Sequence, residues 1–159
     1  AKYAIEYWIS FLFNVVAGGD SCAHYYYMSS DKPRVCKLVL EDQNEAEESL
    51  KRIISGYVKC LSTRDSIYFL PKSSFAFITG GYYKRKKVFD PNKALNSAKS
   101  EWNTKSYNSS VASESEDIWN LMIWGEQSPV EDELFIKKSH EFWGDWNTLS
   151  DDKPFKVLD

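Results

Sequence analysis

The chain has 159 residues, 43% of them hydrophobic and 27% charged, with a formal net charge of −3. A chain of this length buries roughly 70% of its unfolded surface, so it holds a core without disulfide or metal staples. The slightly acidic balance excludes a general nucleic-acid coat and leaves only local basic patches for such contacts.

The sequence reads as one domain spanning residues 1–159. It starts at Ala1 rather than Met and so reads as a fragment of a much larger chain. Cys22, Cys36 and Cys60 are an odd count without CxxC spacing, which fits reduced thiols in a cytoplasmic protein. Cys22 and Cys36 could alternatively meet across a hairpin.

Lys2 to Val16 is the most apolar segment. Its polar residues Lys2, Glu6, Ser10 and Asn14 recur every fourth position, which predicts a helix buried on nearly all sides and closed by Gly18-Gly19. It is shorter than the roughly 20 apolar residues a bilayer requires, so no membrane role is expected. Ala23, Tyr25 and Tyr27 then alternate with His24, Tyr26 and Met28. After a turn at Ser29 to Pro33, the run Val35 to Leu40 completes a predicted hairpin.

Asp42 with Glu45 is a capping-box-like start to a helix whose apolar face is Leu50, Ile53, Ile54, Tyr57 and Leu61. Glu47 with Lys51 and Glu48 with Arg52 stand as i,i+4 ion pairs on its other side.

Ile67 to Leu70 is an apolar run stopped by Pro71. It predicts a buried central strand that delivers Lys72 to the sheet rim and lies beside the hairpin after a right-handed crossover. A helix is predicted to start within Phe75 to Ile78 and to meet Gly80-Gly81 and the run Tyr82-Tyr83-Lys84-Arg85-Lys86-Lys87.

Asp90-Pro91 caps the next helix, with Ala94, Ala98 and Trp102 on one side. Thr104 to Ser115 reads as an exposed Ser/Asn-rich loop. Ser113 with Glu116 offers a capping box before Ile118, Trp119, Met122 and Ile123. Ser128 to Glu131 repeats the device before Leu134, Phe135, Phe142 and Trp143. The tail from Asp145 has no clear period and is expected to wrap over the surface. The fold class is therefore α/β, a small central sheet flanked by helices with a helical C-terminal part.

His24 and His140 lack a second His or Cys at metal-ligand spacing, so no metal and no cofactor is expected. GxGxxG, Walker and GxSxG signatures are absent. A metal-dependent nuclease needs carboxylates at neighbouring strand ends and a lysine. Glu41 and Asp42 close the second strand, but Leu70 stands where a PD-(D/E)xK nuclease would carry its carboxylate. No catalytic residue is assigned.

The run Tyr82 to Lys87, four cations beside two stacking rings, is the best local nucleic-acid signal, with Lys72 as a further contact. The plainer alternative is a solvated helix end. Trp119, Trp124, Trp143 and Trp146 likewise fit either partner anchors or core packing.

In order along the chain, five groups of residues resemble the C-terminal domain family of RecC, the gamma subunit of exodeoxyribonuclease V. They are Tyr7-Trp8-Ile9 through Gly18; Leu50 to Tyr57 followed by Leu70-Pro71-Lys72-Ser73 and Ala76; Ala94 to Trp102; Asp117-Ile118-Trp119 with Leu121 and Trp124; and Phe142-Trp143-Gly144. The basic run after Gly81 departs from the family pattern, as does the Ser-rich loop.

The resemblance implies a PD-(D/E)xK nuclease-like core that lacks an active site. It implies a non-catalytic scaffold in a bacterial helicase-nuclease that repairs double-strand breaks by recombination. The partners would be RecB and RecD, with double-stranded ends and single-stranded DNA handled through the complex. The alternatives are an independent PD-(D/E)xK nuclease and a protein-interaction domain without DNA contact.

Overall fold

The first helix, α1 (Lys2–Val16), is fixed by one apolar stripe: Ala4, Trp8, Phe11, Leu12 and Val15 recur at helical spacing and are all buried. It is amphipathic rather than buried on nearly all sides, because Glu6, Ser10 and Asn14 face water together with Phe13, which is 53% exposed. Its end follows the expected glycine stop. Gly18 takes φ 78°, and the amides of Gly18 and Gly19 donate to the carbonyls of Val15 and Asn14 in a Schellman arrangement.

The computed structural model describes residues 2–29, 32–63, 68–83, 88–103, 113–144, 146 and 150–154. These residues form a mixed α/β fold, predominantly helical, and the chain divides into two compact units.

One unit comprises Tyr3–Arg52 with Asp145–Asp159. Strands β1 (Cys22–Ser29) and β2 (Lys32–Val39) pair antiparallel, and the register sets Ala23, Tyr25 and Tyr27 opposite Leu38, Cys36 and Arg34 on one face. Tyr7 of α1 stacks on Tyr25 at 5.0 Å between ring centroids, so this face meets the helix, while His24 and Tyr26 occupy the exposed face.

The same register separates Cys22, opposite Val39, from Cys36, opposite Tyr25, and both are free thiols. The side chain of Cys60 lies outside the described residues.

The third strand is β5 (Ser150–Pro154), antiparallel to β2. This corrects two expectations. Among the described residues the sheet is antiparallel throughout, with no right-handed crossover, and part of the aperiodic tail forms the third strand that Ile67 to Leu70 was expected to supply. Trp146, 4% exposed, packs edge-on to Trp8 at 5.7 Å.

Helix α2 (Gln43–Ser62) opens with Asp42 Oδ1 accepting the Asn44 amide at 2.8 Å. Gln43 Nε2 donates to the Val16 carbonyl, which satisfies an orphan acceptor at the end of α1. Ala46, Ser49 and Leu50 form its buried stripe. The apolar face expected to continue from Leu50 does not stay covered, since Ile54 and Tyr57 are 49% and 66% exposed. Lys51 bridges both Glu47 and Glu48 at 3.0 Å, and Arg52 donates to Ser49 Oγ.

The other unit comprises Ala1–Lys2 and Ile53–Gly144. Here the expected strand is overturned. Tyr68 to Leu70 do not form a strand, and Pro71 begins helix α3 (Pro71–Gly81) at its first position, where its missing N–H costs nothing.

Strands β3 (Tyr82–Tyr83) and β4 (Val88–Phe89) pair antiparallel after α3, and helix α4 (Pro91–Asn103) follows. Asp90 Oδ1 caps α4 by accepting from Asn92 and Lys93, and Ala94, Ala98 and Trp102 are buried as expected. Gly80 and Gly81 let α3 approach α4 closely. A Cβ on Gly80 would meet Ser97 Cβ at 2.4 Å, and one on Gly81 would meet Ala94 Cβ at 2.6 Å.

Helix α5 (Ile118–Trp124) and helix α6 (Glu133–Trp143) complete the unit. The core gathers Leu70, Phe77, Ile78, Val130, Phe135 and Trp143 with the small residues of α4. Phe75 and Phe77 of α3 pack on Trp143 and Phe135 of α6, and Trp143 Nε1 donates to Ser74 Oγ at 3.1 Å. Each of the large apolar side chains contributes roughly 1.5–3 kcal/mol of transfer free energy.

Both late capping expectations shift by one turn. Ser113 and Glu116 do form a capping box, but for a short 3-10 turn at Glu114–Glu116, and Asp117 caps α5. Ser128 makes no side-chain cap, and Asp132 caps α6 instead. In both places an aspartate one residue before the helix outcompetes the serine.

Candidate functional site

Lys72 was expected at a strand rim. It sits in the first turn of α3, where its backbone N–H donates to Glu114 Oε1 at 2.7 Å and the Ser73 N–H donates to Glu114 Oε2 at 2.8 Å. A helix N-terminus presents orphan donors and the positive end of the helix dipole, and here a buried carboxylate of the same chain occupies both donors. Glu114 is 6% exposed, so this contact ties the 3-10 turn before α5 to α3.

The proposed nucleic-acid residues are not all brought together. Lys72 and Tyr82 lie at opposite ends of the 11-residue α3, about 15 Å apart along its axis at 1.5 Å per residue. Tyr82 and Tyr83 form β3, with Tyr82 half-buried and paired with Phe89. Lys84, Arg85, Lys86 and Lys87 lie outside the described residues, as does the side chain of Tyr83. Glu41 and Asp42 follow β2, and Asp42 serves as the α2 cap. Among the described residues no three His, Cys, Asp or Glu side chains converge as a metal-holding group.

His140 lies in the last turn of α6, where the helix dipole favours a cation. Its ring stands edge-on to Phe77 at 5.5 Å and to Phe89 at 5.3 Å. Although His140 as a residue is exposed, the side of its ring that faces these aromatics is desolvated, and this holds its pKa below the ordinary histidine value. In the other unit, the Tyr7 hydroxyl is buried without a hydrogen-bond partner, and burial pushes its pKa well above the usual tyrosine value, with Cys36 adding to the effect.

The feature least explained by folding is α5. Six of its seven residues are apolar, yet none is buried. Trp119 and Met122 are 68% and 73% exposed, and Ile118, Leu121 and Ile123 are exposed beside them. An apolar helix normally meets a core on every side.

This one is nonetheless held firmly at both ends. Asp117 Oδ1 accepts from Trp119 at 3.0 Å, Asn120 Nδ2 donates to the Glu114 carbonyl at 2.8 Å, and the amide of Gly125 closes on the Leu121 carbonyl. Trp124, half-buried, packs edge-on to Tyr68 at 5.0 Å and anchors the remaining side. Trp143 and Trp146, by contrast, are core residues. The sequence placed Trp119 and Trp124 among possible partner anchors, but nothing in it separated the exposed pair Trp119 and Met122 from the buried tryptophans.

No protein-family model matches this chain, and no curated protein matches it. No helix among the described residues is long and apolar enough to cross a membrane.

Proposed function

We propose that this chain is a non-catalytic binding module that docks a protein partner on α5. The observation that carries this reading is an anchored helix that leaves Trp119 and Met122 largely in water. Exposed apolar patches on a folded surface mark interaction sites, and aromatic anchors with methionine are the residue types enriched there. The metal-dependent nuclease alternative has less support, because Lys72 starts a helix instead of ending a strand.

A photocrosslinking residue placed at Met122 in the native host tests the proposal, with Glu45 on α2 as the control position. The expected outcome is a discrete protein adduct at position 122 alone that disappears in the Trp119→Asp variant. Failure to form any adduct at 122 would remove the docking role.

The resemblance to RecC gives the module a narrower form, also proposed: an inactive, PD-(D/E)xK-like scaffold domain of the RecBCD helicase-nuclease. RecB or RecD would then be the docked protein, and Lys72 with the run Tyr82 to Lys87 would meet DNA. The order of the matching segments supports it, while the helix entrance at Leu70-Pro71-Lys72, where that fold carries a strand, counts against it as it does against the nuclease. Co-purification with RecB and RecD checks it, and a negative result there leaves docking on α5 standing.

A further inference from the structure

The surroundings of α5 specify its partner. From residue 113 to residue 136 the chain contains seven acids, Glu114, Glu116, Asp117, Glu126, Glu131, Asp132 and Glu133, and no Lys, Arg or His. Against a whole-chain net charge of −3, the remainder of the molecule is therefore net positive, and negative charge is concentrated in the stretch of sequence that carries α5.

Among the described residues, Glu131 alone of the seven has a cation partner, and Asp117 and Asp132 accept helix-capping amides. Glu114 is buried on the α3 amides, and Glu131 pairs with Lys99 at 2.6 Å. Glu116 and Asp117 directly precede α5 and Glu126 follows it, all three exposed, so acids stand at both ends of the apolar surface.

We infer that α5 binds a cationic amphipathic segment of a partner protein, whose apolar face covers Trp119 and Met122 while its Lys or Arg side chains meet Glu116, Asp117 and Glu126. This deepens the docking role proposed above and rests on it. Apolar contact supplies the affinity, and the complementary charges supply orientation and selection. The acidic rim repels nucleic acid and anionic lipid surfaces, which would otherwise compete for an exposed tryptophan and its apolar neighbours.

Two synthetic helical peptides with the same leucine pattern, one with lysine and one with glutamate on the polar face, test the inference by fluorescence anisotropy with the full chain. The lysine peptide is expected to bind at least about tenfold more tightly. It should lose about tenfold or more with Trp119→Ala combined with Met122→Ala, and lose affinity severalfold with Glu116→Gln combined with Glu126→Gln. Both sets of changes lie on the surface, and circular dichroism should show an unchanged fold.

Equal binding of the two peptides, no saturable binding of the lysine peptide, or indifference to the glutamate substitutions would overturn the cationic partner. Sedimentation showing a dimer that Trp119→Ala dissolves would assign the surface to a second copy and overturn it as well. If the adduct at Met122 forms while the two peptides bind alike, docking stands and only the charge preference falls.

Discussion

Glu114 illustrates how one side chain joins distant parts of the sequence. Its carboxylate accepts from two backbone amides 42 and 41 positions earlier, at 2.7 and 2.8 Å, and it is buried. Charge-assisted bonds of this kind are stronger than neutral ones, and leaving the amides unsatisfied incurs a desolvation cost. Glu114→Ala should lower stability by about 1–3 kcal/mol in urea unfolding. Glu116→Gln, whose capping bond is a long 3.4 Å, should stay within about 0.5 kcal/mol.

His140 gives a pH test of opposite character. Its folded pKa is below 6.5, so between the two values the unfolded chain binds more protons than the folded one. Stability is full above pH 6.5 and falls as the pH drops through the folded value. Thermal melts at pH 7.5 and pH 5.5 should show a larger loss for the native chain than for His140→Gln. Equal losses would mean that the contact with Phe77 and Phe89 does not desolvate the ring enough to matter.

At the scale of elements, sequence patterns found most helices and misread one apolar run. Periodicity marked α1, α2 and the buried face of α4 because each has a polar side to contrast with its core side. The run Ile67 to Leu70 has no such contrast, and a short apolar stretch before proline suits a strand end and a helix entrance equally well. Pro71 decided in favour of the helix, since Glu114 satisfies the following amides, a partner more than forty residues away that no local pattern announces. α5 was legible as a helix, but its exposure was not, because apolar spacing does not report whether a core lies opposite.

The pair Gly80-Gly81, which carried no motif, proves to be the contact between α3 and α4. Gly81→Ala should cost about 1–3 kcal/mol through overpacking against Ala94 and Phe89. Gly80→Ala should be partly rescued by Ser97→Gly, which removes the side chain it would strike. Additive losses in that double variant would show that the helices are held apart by something else.

At the scale of the whole chain, the two units differ in how they are assembled from sequence. One draws almost all of its residues from a continuous stretch ending at Gly144, whereas the other joins Tyr3–Arg52 to the distant Asp145–Asp159. The tail's role was the least legible part of the sequence, since its pairing with β2 is set by an exposed strand edge and not by any alternation of its own. β5 supplies the third strand, and two-stranded sheets are marginal without further cover. Trp146 supplies an edge-on aromatic partner for Trp8 from outside α1.

Removing residues 145–159 should therefore act selectively. It uncovers the edge of β2 and the Trp8 ring while removing nothing from the core made by Phe77, Phe135, Trp143 and the α4 alanines. Hydrogen exchange on the truncated chain should show amides of α1, β1 and β2 losing protection by several orders of magnitude, with those of α3, α4 and α6 retained. Uniform loss across both groups would mean that the chain unfolds as one cooperative body, and unchanged protection in the hairpin would mean that β5 is an ornament to a sheet that stands without it.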